Sequence, residues 1–129
     1  MAQGANHPGA NHPVPTTPTI STHVLDTERG APAVGVAVTL YRLADDGRPL
    51  RLTQALTDDD GRVRDLLERP LTAGEYRLEF VLALDPASAT DEARFFRRMT
   101  LDLRVTDVQR SYHVPLLVAP FSMTTYRGS

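Results

Sequence analysis

The chain contains no cysteine, which excludes disulfide frameworks, thiol nucleophiles and thiolate zinc sites together. It has no basic excess: the formal net charge is -2, so nothing points at phosphate backbones and nucleic acid is not an expected partner. No stretch approaches the ~18 apolar residues of a membrane span, and the N-terminus lacks the basic and then apolar regions of a secretory signal. The expectation is a cytoplasmic protein with no membrane association. A sustained helical period is also missing. What is present is ordinary: 129 residues, 41% hydrophobic and 23% charged, the size and make-up of one globular domain.

Residues 1–19 carry no charged side chain apart from histidine, and GANHP occurs twice in tandem, at Gly4 to Pro8 and Gly9 to Pro13. With Pro15 and Pro18 as well, this stretch can neither pair as a strand nor bury a face. It is expected to be a disordered leader, with the domain occupying residues 20–129. His7 and His12 in the leader are read as part of a low-complexity tail rather than a metal site, and no metal or cofactor is expected.

From Ile20 onward the dominant period is two. Val34, Val36, Val38 and Leu40 alternate with smaller or polar residues, as do Tyr76, Leu78, Phe80, Leu82 and Leu84, and Met99, Leu101, Leu103 and Val105. These are half-buried strands. Turn chemistry separates them at Asp45-Asp46-Gly47, Asp58-Asp59-Asp60-Gly61, Ala73-Gly74 and Asp85-Pro86. The acidic run at 58–60 lacks the spaced ligands and closing glutamate of a calcium loop and reads as a hairpin turn. Seven to eight short strands of this kind predict an all-β antiparallel sandwich. One short helix is expected over Pro86 to Ala93, capped by Asp85.

Strand parity sorts the polar residues. Tyr112, Val114, Leu116 and Val118 form one apolar set, which leaves His113 on the other face with Ser111, Pro115 and Leu117. Ile20, Thr22 and Val24 leave His23 opposite with Ser21 and Leu25, and Val63 leaves Arg62 and Arg64 on the reverse side. Apolar Pro115 and Leu117 beside His113 suggest that another subunit covers this outer face. Two imidazoles near neutrality can move protons, and a guanidinium fork stabilises a planar anion or a developing oxyanion. Ser129 adds a hydroxyl and a carboxylate. That inventory suits addition of water to an activated carbonyl without a metal.

The stretches STHVLDTERGAPAVGVAVTLYRL (21–43), TDDDGR (57–62), AGEYRLEF (73–80) and YHVPLLVAPFSMTTYRGS (112–129) resemble the 5-hydroxyisourate hydrolases, transthyretin-related enzymes of urate catabolism. The resemblance implies a transthyretin-like (prealbumin-like) sandwich assembled as a homotetramer, a dimer of dimers. It implies hydrolytic opening of the six-membered ring of 5-hydroxyisourate to 2-oxo-4-hydroxy-4-carboxy-5-ureidoimidazoline. By the same resemblance His23, Arg62, His113 and Ser129 are the catalytic candidates and Tyr126, Arg127 and Gly128 the substrate-binding ones. Departures fall at Ser111, Ala119 and Met123, none of which carries an assigned role, and Phe95-Phe96-Arg97-Arg98 is more basic than the family pattern. Two other roles are compatible with the same fold: a transthyretin-like small-molecule carrier and a prealbumin-like structural module.

Overall fold

The computed structural model describes residues 17–82 and 95–128. Among them are nine strands: β1 (Ile20–Asp26), β2 (Ala31–Pro32), β3 (Ala37–Leu43), β4 (Pro49–Leu56), β5 (Arg62–Val63), β6 (Gly74–Val81), β7 (Arg98–Val105), β8 (Tyr112–Ala119) and β9 (Ser122–Thr125). One sheet runs β2-β1-β8-β9, with β5 also paired to β1, and the other runs β4-β3-β6-β7. The expected all-β sandwich is the observed architecture. Two strands, β2 and β5, are only two residues long, below what period alone can reveal. The predicted helix over Pro86 to Ala93 lies outside the described residues, as do most of the leader and Ser129.

The alternation read from sequence places the core. In β1 every second residue is buried, and Ile20, Val24, Tyr112, Val114, Leu116 and Val118 from the first sheet meet Val38, Leu40, Tyr76, Leu78 and Phe80 from the second. Tyr112 and Tyr76 bring hydroxyls inward, and each finds a partner: Tyr112 donates to the Asp107 carbonyl at 3.0 Å and Tyr76 to that of Thr72 at 2.7 Å. Burial with satisfied hydroxyls is what makes tyrosine tolerable there.

Three details differ from the sequence reading. Val34 is 59% exposed and sits in a turn, so the strand begins at Ala37; Gly35 at φ 78° makes that turn and gives its N–H to the Thr57 carbonyl. The Asp58–Gly61 turn closes no hairpin, because β4 and β5 belong to different sheets; it carries the chain from one layer to the other. The pairing of β1 with β8 is parallel, from Ile20 opposite Tyr112 to Asp26 opposite Val118, within sheets that are otherwise antiparallel. Parallel neighbours need a long connection, and these two strands are the first and last long ones of the first sheet.

Leu78 is fully buried at the centre of the second sheet, between β3 and β7. Leu78→Ala is expected to cost about 2–5 kcal/mol, from lost transfer energy plus the cavity left behind. Urea unfolding should show a lower midpoint with an unchanged slope.

Candidate active site

The site is built on the outer face of β1. Asp58 organises the turn that precedes it: its Oδ1 accepts from the N–H groups of Asp60 at 2.8 Å and Arg62 at 3.0 Å, and its carbonyl accepts from Gly61 at 2.8 Å. Gly61 stands at φ 77°, and a Cβ there would collide with the Val24 carbonyl oxygen. Only glycine lets the backbone come this close, and the return is a 2.7 Å hydrogen bond from the Val24 N–H to the Gly61 carbonyl. The chain then enters β5 with Arg62 directly opposite His23.

On the other side of β1 the parallel register sets Ser21 opposite His113 and His23 opposite Pro115. Paired residues in a sheet share a face, so Arg62, His23, Ser21, His113 and Pro115 form one patch. Pro115 has no N–H to offer β9. The ladder between β8 and β9 stops at Leu116–Thr125, where the Thr125 hydroxyl donates to the Pro115 carbonyl at 2.8 Å, and resumes only where the Gly128 N–H meets the His113 carbonyl at 2.7 Å. Gly128 lies flat against the imidazole, since a Cβ would stand 2.9 Å from His113 Cδ2.

The structure therefore brings His23, Arg62, His113 and Gly128 together on one face. Tyr126 and Arg127 fall elsewhere in the single chain. They line a cavity of about 260 Å³ with Leu101, Leu103, Val105, Tyr112 and Val114, at the sandwich edge between β7 and the end of β9. Ser21 is the residue that sequence reasoning passed over: its hydroxyl is 2.9 Å from His113 Nδ1. Parity had already put Ser21 on this face, but its neighbour could be found only once the register of two strands 92 residues apart was known. Pro115, expected on the outer face, is buried, and Leu117 is half-buried.

Electrostatics give the patch its character. Burial first, and then the Arg62 guanidinium, hold His23 below the ordinary imidazole value; a hydrogen bond to the Asp60 backbone carbonyl and the Asp60 and Asp58 carboxylates pull the other way without prevailing. Burial, Arg62 and then His23 depress His113 in turn. Among the described residues no carboxylate forms an ion pair with Arg62. A guanidinium facing two imidazoles of lowered basicity can receive an anion, with two bases beside it. No group of three or more histidine, aspartate or glutamate side chains among the described residues is placed to hold a metal ion.

The sequence matches the model of the HIUase/Transthyretin family over residues 20–128. The chain belongs to that family. It is similar to the 5-hydroxyisourate hydrolase of Deinococcus radiodurans, 44% identical over 129 residues that span 97% of this chain and 99% of the relative. That of Halalkalibacterium halodurans is 40% identical, with 85% and 97% covered. Among solved structures of the HIUase/Transthyretin fold it is similar to Klebsiella pneumoniae 5-hydroxyisourate hydrolase, with TM-score 0.68, 33% identity and 87% and 99% of the two chains covered. Sea bream transthyretin in complex with thyroxine superposes with TM-score 0.72 at 28% identity, covering 84% and 93%.

Both histidines are expected to titrate below pH 6.5 when followed by NMR. Their folded-state values lie below the unfolded one, so the unfolded chain binds more protons in the interval between the two. Stability should thus rise with pH through that interval and level off above 6.5. A midpoint above 6.5 for either ring would contradict the burial and charge described.

Proposed function

We propose that this protein hydrolyses 5-hydroxyisourate to 2-oxo-4-hydroxy-4-carboxy-5-ureidoimidazoline, in the degradation of urate. The observation that carries the reading is the placement of the Arg62 guanidinium, which no carboxylate among the described residues pairs with, against two imidazoles of depressed basicity, His23 and His113. The substrate is a urate-derived heterocycle rich in carbonyl oxygens, and the guanidinium fork supplies paired hydrogen bonds to them. His23 and His113 activate and position the attacking water, which needs a neutral imidazole at the pH of the cell. Gly128 gives the backbone close access to His113, and the terminal Tyr126, Arg127 and Ser129 orient the carbonyl side of the substrate.

Tyr126 and Arg127 stand at the sandwich edge, so a neighbouring copy is needed to complete the site. The chain assembles as a homotetramer, a dimer of dimers. Two observations support this: β7 and β9 are edge strands with open backbone groups, and Phe95 and Phe121, 71% and 72% exposed, stand in the two segments joined by the hydrogen bond from the Phe95 N–H to the Pro120 carbonyl. Among the described residues no helix is long and apolar enough to cross a membrane, and we place the enzyme in the cytoplasm. The family relation to a thyroxine-holding protein is the weaker one by identity, 28% against 44%. A charged, imidazole-lined face also suits a polar heterocycle better than an apolar hormone.

With uricase generating the substrate, the protein should speed the optical decay of 5-hydroxyisourate. Arg62→Ala or His113→Ala should each lower kcat/KM by about 100-fold or more while the oligomer persists; decay at the wild-type rate would remove those roles. A C-terminal extension beyond Ser129 should impair turnover, and full activity with a long tag would exclude the terminal tetrapeptide from the site.

A further inference from the structure

The two imidazoles are anchored in different ways. The ring of His23 lies beside the Asp60 backbone carbonyl, a group that only accepts. His113 is held on two sides of its ring: Ser21 Oγ lies 2.9 Å from Nδ1, and Gly128 packs against the Cδ2 edge where any Cβ would stand 2.9 Å away. That leaves Nε2 as the one ring nitrogen of His113 without a partner among the described residues, on the patch shared with Arg62 and His23. The serine is there because β1 and β8 pair in parallel with Ser21 opposite His113.

We propose that Ser21 is a positioning residue for His113: its Oγ accepts the Nδ1–H, which fixes the tautomer and presents the Nε2 lone pair to the attacking water. This rests on the hydrolase reading and assigns the proton shuttle within it. The water oxygen forms a C–O bond with the ring carbonyl carbon as one of its protons passes to Nε2. The tetrahedral adduct then expels the ring nitrogen, the C–N bond breaks with its electron pair on nitrogen, and Nε2 returns the proton to that nitrogen. Nothing is oxidised or reduced. Nδ1 stays protonated throughout, so Ser21 accepts from it in both ring states, and the bond becomes charge-assisted while the imidazolium exists. Arg62 from β5 and His23 from β1 are the charged and titratable described groups that face His113, and both oppose its cationic form; Ser21 is the neutral acceptor that offsets them.

The test uses the full-length chain and three proteins: wild type, Ser21→Ala and Ser21→Thr. With uricase-generated substrate, Ser21→Ala should lower kcat by about 10- to 100-fold with KM within about twofold of wild type, because the loss is in the reacting state. Ser21→Thr, which keeps the hydroxyl, should recover activity to within a few-fold of wild type. Nitrogen-15 NMR of the imidazoles at pH 8 should show His113 of the wild type protonated on Nδ1, and a mixture of tautomers in Ser21→Ala. An alanine variant with wild-type kcat, or a wild-type His113 that carries its proton on Nε2, overturns the role of Ser21. Should the alanine variant fail to fold, the wild-type tautomer and the threonine variant decide. A wild type that does not accelerate 5-hydroxyisourate decay overturns the hydrolase reading, an outcome distinct from an active wild type indifferent to Ser21.

Discussion

The parallel pairing of β1 with β8 is the constraint on which the rest of the molecule depends. It joins strands 92 residues apart along the chain, and closing a loop of that length costs only a few kcal/mol, because the cost grows with the logarithm of length. The return is a shared core face and the 2.6 Å bond from the buried Thr22 hydroxyl to the Val114 carbonyl. Because side chains alternate, the contacts that secure Ile20, Val24, Val114 and Leu116 inside also fix His23, Ser21 and His113 outside. A shift of one residue in register would invert both faces together. The site is thus as well determined as the core.

Close backbone approach sharpens the arrangement at its two margins. At one, Asp58 and Gly61 turn the chain so that Arg62 arrives opposite His23. At the other, Pro115 interrupts the ladder and Gly128 restores it against His113. In each case a residue without an N–H or without a Cβ stands where an ordinary one would either add a strand hydrogen bond or collide. The resulting patch combines one guanidinium with two imidazoles whose basicity is lowered by burial and by that same guanidinium. The cation that would receive an anionic ligand in the proposed function also disfavours the protonated form of both bases.

The two outer faces of the sandwich differ in kind. On the second sheet the cross-strand neighbours of β6 and β7 neutralise one another: Arg104 meets Glu75 at 2.8 Å and Arg77 meets Asp102 at 2.7 Å. Exposed pairs like these add little stability, but they balance the charges that β6 and β7 set opposite each other. The first sheet instead presents Arg62 with no carboxylate partner among the described residues. Paired charges across β6 and β7 suit that face to solvent, whereas a cation set beside two bases suits the other to a ligand.

Periodicity, turn residues and strand parity were legible in the chain from the start, because a period of two and the chemistry of Asp-Gly turns are local properties. They determined the all-β class and the sides on which His23, Arg62 and His113 fall. The motif resemblance pointed to those same residues without saying what lies beside each. Tertiary structure alone decided the partners: the parallel β1–β8 register that sets Ser21 on His113, the two-residue β5 that brings Arg62 to His23, and the placing of Tyr126 and Arg127 at an edge. Those are long-range pairings, chosen by which strands can bury their apolar sides against each other, and no local window of sequence contains that competition.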